Sequence, residues 1–444
     1  MTKNINLKKN ISISLVARVL TMLIGFISSI IITRYLGPEL KGKMSYFITL
    51  SGTIWMILDL GFHKSLPYVL AKNNSTKHQI FSISIFLYIF DILVLLLVSL
   101  FFKDFILEKL NVSSSLFLIL FVAFTSINHF GFIIKYIMLG LDKILWQNLL
   151  NFLPSVLYLI LFLMIRFFIP NNDNRYFWVL LALVVATVFW TFYYAVKLYI
   201  AEDINITFKI NFKELYQMYH LGIKAFLGGF FIFLLIRFDI FLIKKYETLA
   251  ELGIYSLAAN FVTLLQSFSN VVGSLMLPKF AGKSQNAQDN ILTLKRMILI
   301  FSSLFIFVVI VFTLFGRPVI SAVYGIDFVR SADVFALLLP AVLFLSIGSL
   351  INSFFWSKGF PTITIILPII ALSVNIILNI LLIPKIGIMG AAIATSISYF
   401  IWLISLIIYF FNSKLVENPE LIIIKFSDIA YFYEQTLGKI VRKR

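Results

Sequence analysis

The residues able to do chemistry in this chain are ionisable side chains set inside long apolar runs. Arg18, Asp59, Lys64, Asp91, Lys224, Arg237 and Asp239 all fall in such runs. A charge held in hydrocarbon costs several kcal/mol, so each must face a cavity, find a partner or snorkel to the interface. Arg18 and Lys224 lie roughly 10 Å inside their runs at 1.5 Å per residue. That depth fits either a cationic vestibule for an anionic substrate or snorkelling. Lys64, Lys135, Lys197 and Arg166 lie nearer the ends of theirs, where snorkelling suffices. Arg237 and Asp239 are two residues apart, hence on different faces of a helix, and are not expected to pair. A lone buried carboxylate is either protonated and inert or carries a coupling proton or Na⁺. Asp91, Asp239 and Asp59 are the coupling candidates, with the inert reading favoured for Asp59.

Other chemistries are excluded. With no cysteine there is no disulfide, thiolate nucleophile or thiolate metal site. The four histidines, His63, His78, His129 and His220, have no metal-ligand spacing. Gly37-Pro-Glu-Leu-Lys-Gly-Lys43 matches most of a phosphate-binding loop, but Met44 stands where Ser or Thr must hold Mg²⁺. No metal, cofactor or nucleotide is therefore expected, and the chain does not read as an enzyme.

The elements that carry these residues are membrane spans. The 444 residues are 61% hydrophobic and 13% charged, against about 25% charged in soluble domains. Apolar runs cover 11–33, 43–66, 80–102, 116–139, 148–169, 177–199, 218–243, 254–277, 296–315, 333–356, 362–383 and 391–411. Each has roughly the twenty residues that cross a 30 Å hydrocarbon core. The expected class is thus an all-α integral membrane protein of about twelve transmembrane helices. The run at 11–33 is too long for a signal-peptide core and is expected to be retained. The net charge of +17 sits mainly in short loops and tails, as in binding to anionic lipid headgroups. It forms no polar basic domain for nucleic acid. The basic excess on one side comes from the two tails and predicts cytoplasmic termini.

The chain also matches itself. At an offset of 211, Arg34 falls on Lys245, Tyr35 on Tyr246, Gly42 on Gly253, Ser45 on Ser256, Leu66 on Leu277, Pro67 on Pro278 and Lys72 on Lys283. At 214, Pro154 falls on Pro368 and Pro170 on Pro384. Gly, Pro, Tyr and basic residues repeat at kept spacing less readily by chance than Leu or Ile. The repeat predicts two six-helix lobes, residues 1–217 and 218–411, with a basic amphipathic tail over 412–444. An even number of spans per copy sends both copies into the membrane from the same side. Their pseudo-two-fold axis then runs along the membrane normal, as in alternating-access transporters.

Arg34-Tyr-Leu-Gly-Pro-Glu39 with Gly42 resembles the opening of the polysaccharide flippase family. That family belongs to the multidrug/oligosaccharidyl-lipid/polysaccharide (MOP) exporter superfamily. Leu58-Asp-Leu-Gly61, Arg237-Phe-Asp239, Leu252-Gly-Ile-Tyr-Ser256 and the stretch from Ile383 to Thr395 are similar to further pieces of it. The resemblance implies a fold like that of the multidrug (MATE) exporters. It also implies a transporter that moves an undecaprenyl-pyrophosphate-linked oligosaccharide across the bacterial cytoplasmic membrane. The glycan would go to O-antigen, capsule or a similar polymer, with glycosyltransferases and a glycan polymerase as partners. On that reading Arg18, Lys64, Lys224 and Arg237 are candidates for the pyrophosphate. Two other functions remain: a drug or small-solute exporter of related fold, and a membrane glycan polymerase, which the short outer loops disfavour.

Overall fold

A computed structural model describes residues 2–72, 77–112, 114–168, 174–206, 212–281, 287–359 and 361–424. The described residues form α1 (Thr2–Asp59), α2 (Phe62–Lys72), α3 (Lys77–Phe101), α4 (Lys103–Leu110), α5 (Leu116–Gly140), α6 (Ile144–Phe168) and α7 (Arg175–Ala201). They continue with α8 (Phe212–Tyr246), α9 (Leu249–Ala281), α10 (Ala287–Tyr324), α11 (Arg330–Ser357), α12 (Ile363–Ile386) and α13 (Ile388–Asn412). Helices are what the bilayer requires, because every backbone N–H and C=O is satisfied within its own segment.

Among the described residues, eleven helices are long and apolar enough to cross a membrane, where twelve spans are expected. The difference lies in α1. Its 58 residues would run roughly 87 Å, nearly three times a hydrocarbon core. It is broken at Gly37, whose φ of 73° and ψ of 175° are non-helical and suit a residue without Cβ. Pro38 then opens the second segment, where its missing N–H costs nothing. The first two expected spans are therefore the two helical segments of α1, joined at Gly37. The second of these also ends earlier than expected, at Asp59 instead of residue 66, with Leu60 and Gly61 at positive φ before α2 begins.

Contacts divide the chain into two compact units, Met1–Ser256 with Ile320–Val329, and Leu257–Val319 with Arg330–Arg444. In the first, α5 is the central helix and packs on α1, α2, α3, α6 and α7. Its core joins Phe62, Leu66, Ile80, Ile127, Ile134, Met138 and Leu198, all essentially inaccessible. In the second, α13 packs on α11 and α12 and buries Trp402, Tyr399, Leu406 and Phe410. The outward faces remain apolar, with Phe101, Phe167, Phe307 and Leu314 largely exposed as lipid-facing residues must be. Of the tail, Pro419–Ile422 forms a 3-10 turn. The expected amphipathic helix falls mostly on residues 425–444, outside the described ones.

The repeat reappears inside the first unit as a reciprocal contact. A Cβ on Gly42 would stand 1.9 Å from the Leu249 carbonyl oxygen, and one on Gly253 would stand 1.9 Å from that of Pro38. Pro38 and Leu249 are themselves repeat partners. Ser45 Oγ donates to Ser256 Oγ at 2.9 Å, again across 211 residues. The break at Gly37 also has its counterpart, for Thr248 precedes α9 and its hydroxyl accepts the Glu251 N–H at 3.2 Å as a helix cap. Residue i meeting the partner of j while j meets the partner of i is the signature of a local two-fold.

Three helix ends outside the spans are tied by one carboxylate. Glu202, just past α7, meets Lys143 at 2.9 Å and Lys77 at 3.3 Å. Burial pushes its acidity down, but the hydrogen bonds and charges of Lys143 and Lys77 outweigh this and hold the pKa below the usual 4.5. A carboxyl with a depressed folded value stabilises fully above its unfolded value and loses that contribution as pH falls through the folded one. Glu202→Gln is expected to destabilise by about 1 kcal/mol at pH 7. The gap to the parent should close below pH 4.5 in thermal unfolding followed across pH. A gap that persists in acid would assign the loss to packing.

Candidate buried proton site

The break between α1 and α2 positions the most concentrated ionisable cluster of the first unit. Asp59 ends α1, and its carboxylate caps α2: Oδ2 accepts the Gly61 N–H at 2.9 Å and Oδ1 the His63 N–H at 3.2 Å. These are amides a helix start leaves without partners. The turn is tight because α8 lies directly against it. A Cβ on Gly222 would stand 1.9 Å from the Gly61 carbonyl oxygen.

Side chains from two further helices close on that carboxylate, and a third helix adds one behind them. His63 Nδ1 lies 2.5 Å from Asp59 Oδ2, and His129 Nε2, on α5, lies 3.2 Å from Asp59 Oδ1. The other nitrogen of His129, Nδ1, lies 2.5 Å from Asp91 Oδ2 on α3. All four residues are buried: Asp59 and His129 at 0%, Asp91 at 1% and His63 at 3% exposure. The Trp55 ring stacks on His129, and Tyr136 meets His63 edge-on at 4.6 Å. Aromatic walls thus replace solvent on the open sides.

The chemistry follows from counting hydrogens. An ionised carboxylate only accepts, so each nitrogen of His129 needs a hydrogen for its bond. Either His129 is an imidazolium, or one carboxyl carries the proton. Two carboxylates, one imidazolium and a neutral His63 sum to −1, and one further proton brings the cluster to neutrality. A net charge buried in a membrane is costly, so this arrangement could take up one proton.

The structure therefore joins Asp59 and Asp91 and supplies a partner each lacked in the sequence reading. Asp239 lies apart from them. It is buried, accepts the Ile240 N–H at 2.8 Å and receives the Tyr255 hydroxyl. Among the cations, Lys64 is exposed and donates to Tyr136 Oη at 3.2 Å, with its ammonium 5.4 Å from that ring. Lys224 is exposed on α8 and Arg237 half-buried. The Arg18 side chain lies outside the described residues. Metal-ligand spacing does not find His63 and His129, because their partners are carboxylates. Two signals were present: Asp59 and His63 are an i, i+4 pair, and Asp91 and His129 lie near the middle of neighbouring spans. Among the described residues no group of three or more His, Asp and Glu is arranged to hold a metal ion.

Comparison with known proteins adds the family and fold. The family described as "Polysaccharide biosynthesis protein" matches residues 7–282. The capsular polysaccharide biosynthesis protein CapF of Staphylococcus aureus is 24% identical over 420 residues, 92% of this chain and 99% of that protein. The probable low-salt glycan biosynthesis flippase Agl15 of Haloferax volcanii is 24% identical over 196 residues, 43% of this chain but only 40% of that protein's length. Among solved structures, the lipid II flippase MurJ in an inward closed conformation superposes with a TM-score of 0.72 at 16% identity. That match covers 96% of this chain and 99% of MurJ. A mutant of the Vibrio cholerae MATE transporter VcmN gives 0.62 at 15% identity, covering 94% and 99%. At such identities the likeness speaks for fold, and the fold is MATE-like.

Proposed function

This chain belongs to the polysaccharide biosynthesis protein family, and on that premise we propose that it moves a lipid-linked glycan from the inner to the outer leaflet. The cargo is an undecaprenyl-pyrophosphate-linked oligosaccharide and the site of action a bacterial cytoplasmic membrane. The two six-helix copies act as alternating-access lobes about an axis along the membrane normal. Arg18, Lys64, Lys224 and Arg237 receive the pyrophosphate, for which Arg offers a planar fork of donors and Lys a point charge. The names of MurJ and Agl15, both flippases, support the reading.

The observation that carries the mechanism is the buried Asp59–His129–Asp91 bridge. A site that alternates between −1 and 0 is a place to bind and release one proton per cycle. Asp59 also caps α2, so its protonation weakens the acceptor that holds the Gly61 and His63 amides. Proton binding is thereby linked to the joint between α1 and α2.

Proteoliposomes carrying a fluorescent lipid-linked oligosaccharide test the proposal. Outer-leaflet label, read by an impermeant quencher, should appear faster under an imposed proton gradient. Arg18→Ala and Lys224→Ala should slow it while protein remains in the membrane. Arg18→Lys should keep part of the rate, since charge survives but the fork is lost. Label that never changes leaflet, while a drug-like dye is exported, would favour the exporter reading. Lengthening of the glycan would favour a polymerase.

A further inference from the structure

The first unit contains a second polar feature, apart from the proton site. A cavity of about 190 Å³ lies between α5, α6 and α7. Each helix gives it one stripe of side chains at helical spacing: Asn128 and Lys135 from α5, Asn151 and Tyr158 from α6, Thr187 and Thr191 from α7. Within a membrane-spanning bundle such polar residues face a cavity with a use. The site also has acceptors besides these side chains. Pro154 in α6 has no N–H to give to the carbonyl of Leu150, and both residues line the cavity.

Two groups here have no polar partner among the described residues. Lys135 makes no ion pair among the described residues; its ammonium lies 5.2 Å from the Phe132 ring on its own helix. The Tyr158 hydroxyl is buried without a hydrogen bond. An unpaired ammonium in a bilayer calls for an anion. Asn and Thr side chains both donate and accept, as does the tyrosine hydroxyl, so the walls suit a ligand rich in hydroxyls more than a bare anion. The volume is below the roughly 300–1,000 Å³ of sites for drug-sized molecules. It suits one sugar ring.

We infer that this cavity binds a single acidic sugar, a hexuronate-type residue whose carboxylate meets Lys135 and whose hydroxyls meet Asn128, Asn151, Thr187 and Thr191. The inference deepens the reading of a glycan as cargo and rests on it. It names the sugar class, acidic, that the protein would select.

The test uses the full-length protein in lipid nanodiscs with tritiated glucuronate, read by scintillation proximity. Saturable binding is expected. Glucose and inorganic phosphate should each compete about tenfold less well, since each satisfies only half of the site. Lys135→Met should weaken glucuronate binding about tenfold and leave glucose competition unchanged, while Lys135→Arg keeps part of the affinity. Asn151→Leu with Thr187→Val should weaken both sugars alike. An unchanged thermal midpoint for each variant shows that it is folded. Phosphate competing as well as glucuronate would overturn the sugar, and Lys135→Met binding like the parent would overturn the charge contact. No saturable binding to protein that still flips a lipid-linked glycan would overturn the site and spare the flippase reading. Binding without any flipping does the reverse.

Discussion

Gly253→Ala should leave almost no folded protein in the membrane, and Gly42→Ala should do the same. In each case the new methyl group would stand 1.9 Å from a backbone carbonyl oxygen, of Pro38 or of Leu249. A side chain in the way could rotate aside, but a carbonyl moves only with its helix. Relief therefore means driving the two segments apart by more than an ångström and breaking the Ser45–Ser256 hydrogen bond between them. Overpacking of an ordinary core costs about 1–3 kcal/mol, and a backbone contact without slack lies at or above the top of that range. Gly25→Ala and Gly229→Ala are the controls. Neither Cβ would meet anything within 4 Å, and alanine favours a helix by up to about 1 kcal/mol over glycine. Detergent-extracted protein from the four variants, followed by size-exclusion chromatography and thermal unfolding, gives the comparison. Gly253→Ala behaving like Gly229→Ala would show that the segments do not approach so closely.

The second large effect is on transport. Asp91→Asn keeps the shape of the side chain and removes its ability to hold a proton or a charge. We expect flipping to fall roughly 100-fold, within the range seen when a positioned proton carrier is lost. The residual rate should no longer respond to an imposed pH gradient. His129→Leu should be worse, because it leaves Asp59 and Asp91 as two buried carboxylates without the bridge between them. Breaking such a pair from one side costs about 3–5 kcal/mol. The two losses are separable. Asp91→Asn with His129→Leu removes one of the orphaned charges and should recover folded protein without recovering gradient-driven flipping. An Asp91→Asn variant that flips at the parental rate and still responds to the gradient would remove the cluster from the mechanism.

The spans, the repeat and the mid-membrane carboxylates were legible because hydrophobic length and residue spacing are local properties of a sequence. Gly42 and Gly253 could be paired on paper from the offset alone, although nothing there says that they touch. The end of the second span was misplaced because apolar composition continues through Leu60 and Phe62, while the backbone turns at two positive-φ residues that hydropathy does not register. The proton site was hidden for a different reason. His129 is 70 residues from Asp59 and 38 from Asp91, and only packing of α5 against α2 and α3 brings them together. Each group alone is an ordinary buried polar residue; the chemistry exists only in the set.

The seam between the two copies also sets a schedule for biogenesis. Its halves are separated by 211 residues, so Gly42 and Ser45 leave the ribosome long before Gly253 and Ser256 exist. At roughly 5–20 residues per second the interval is on the order of 10–40 s. During that time the face of α1 around Gly42, shaped to take a bare backbone, lies open in the membrane. A nascent chain must keep that face from other helices, including the matching face of a neighbouring copy, until its own α9 arrives.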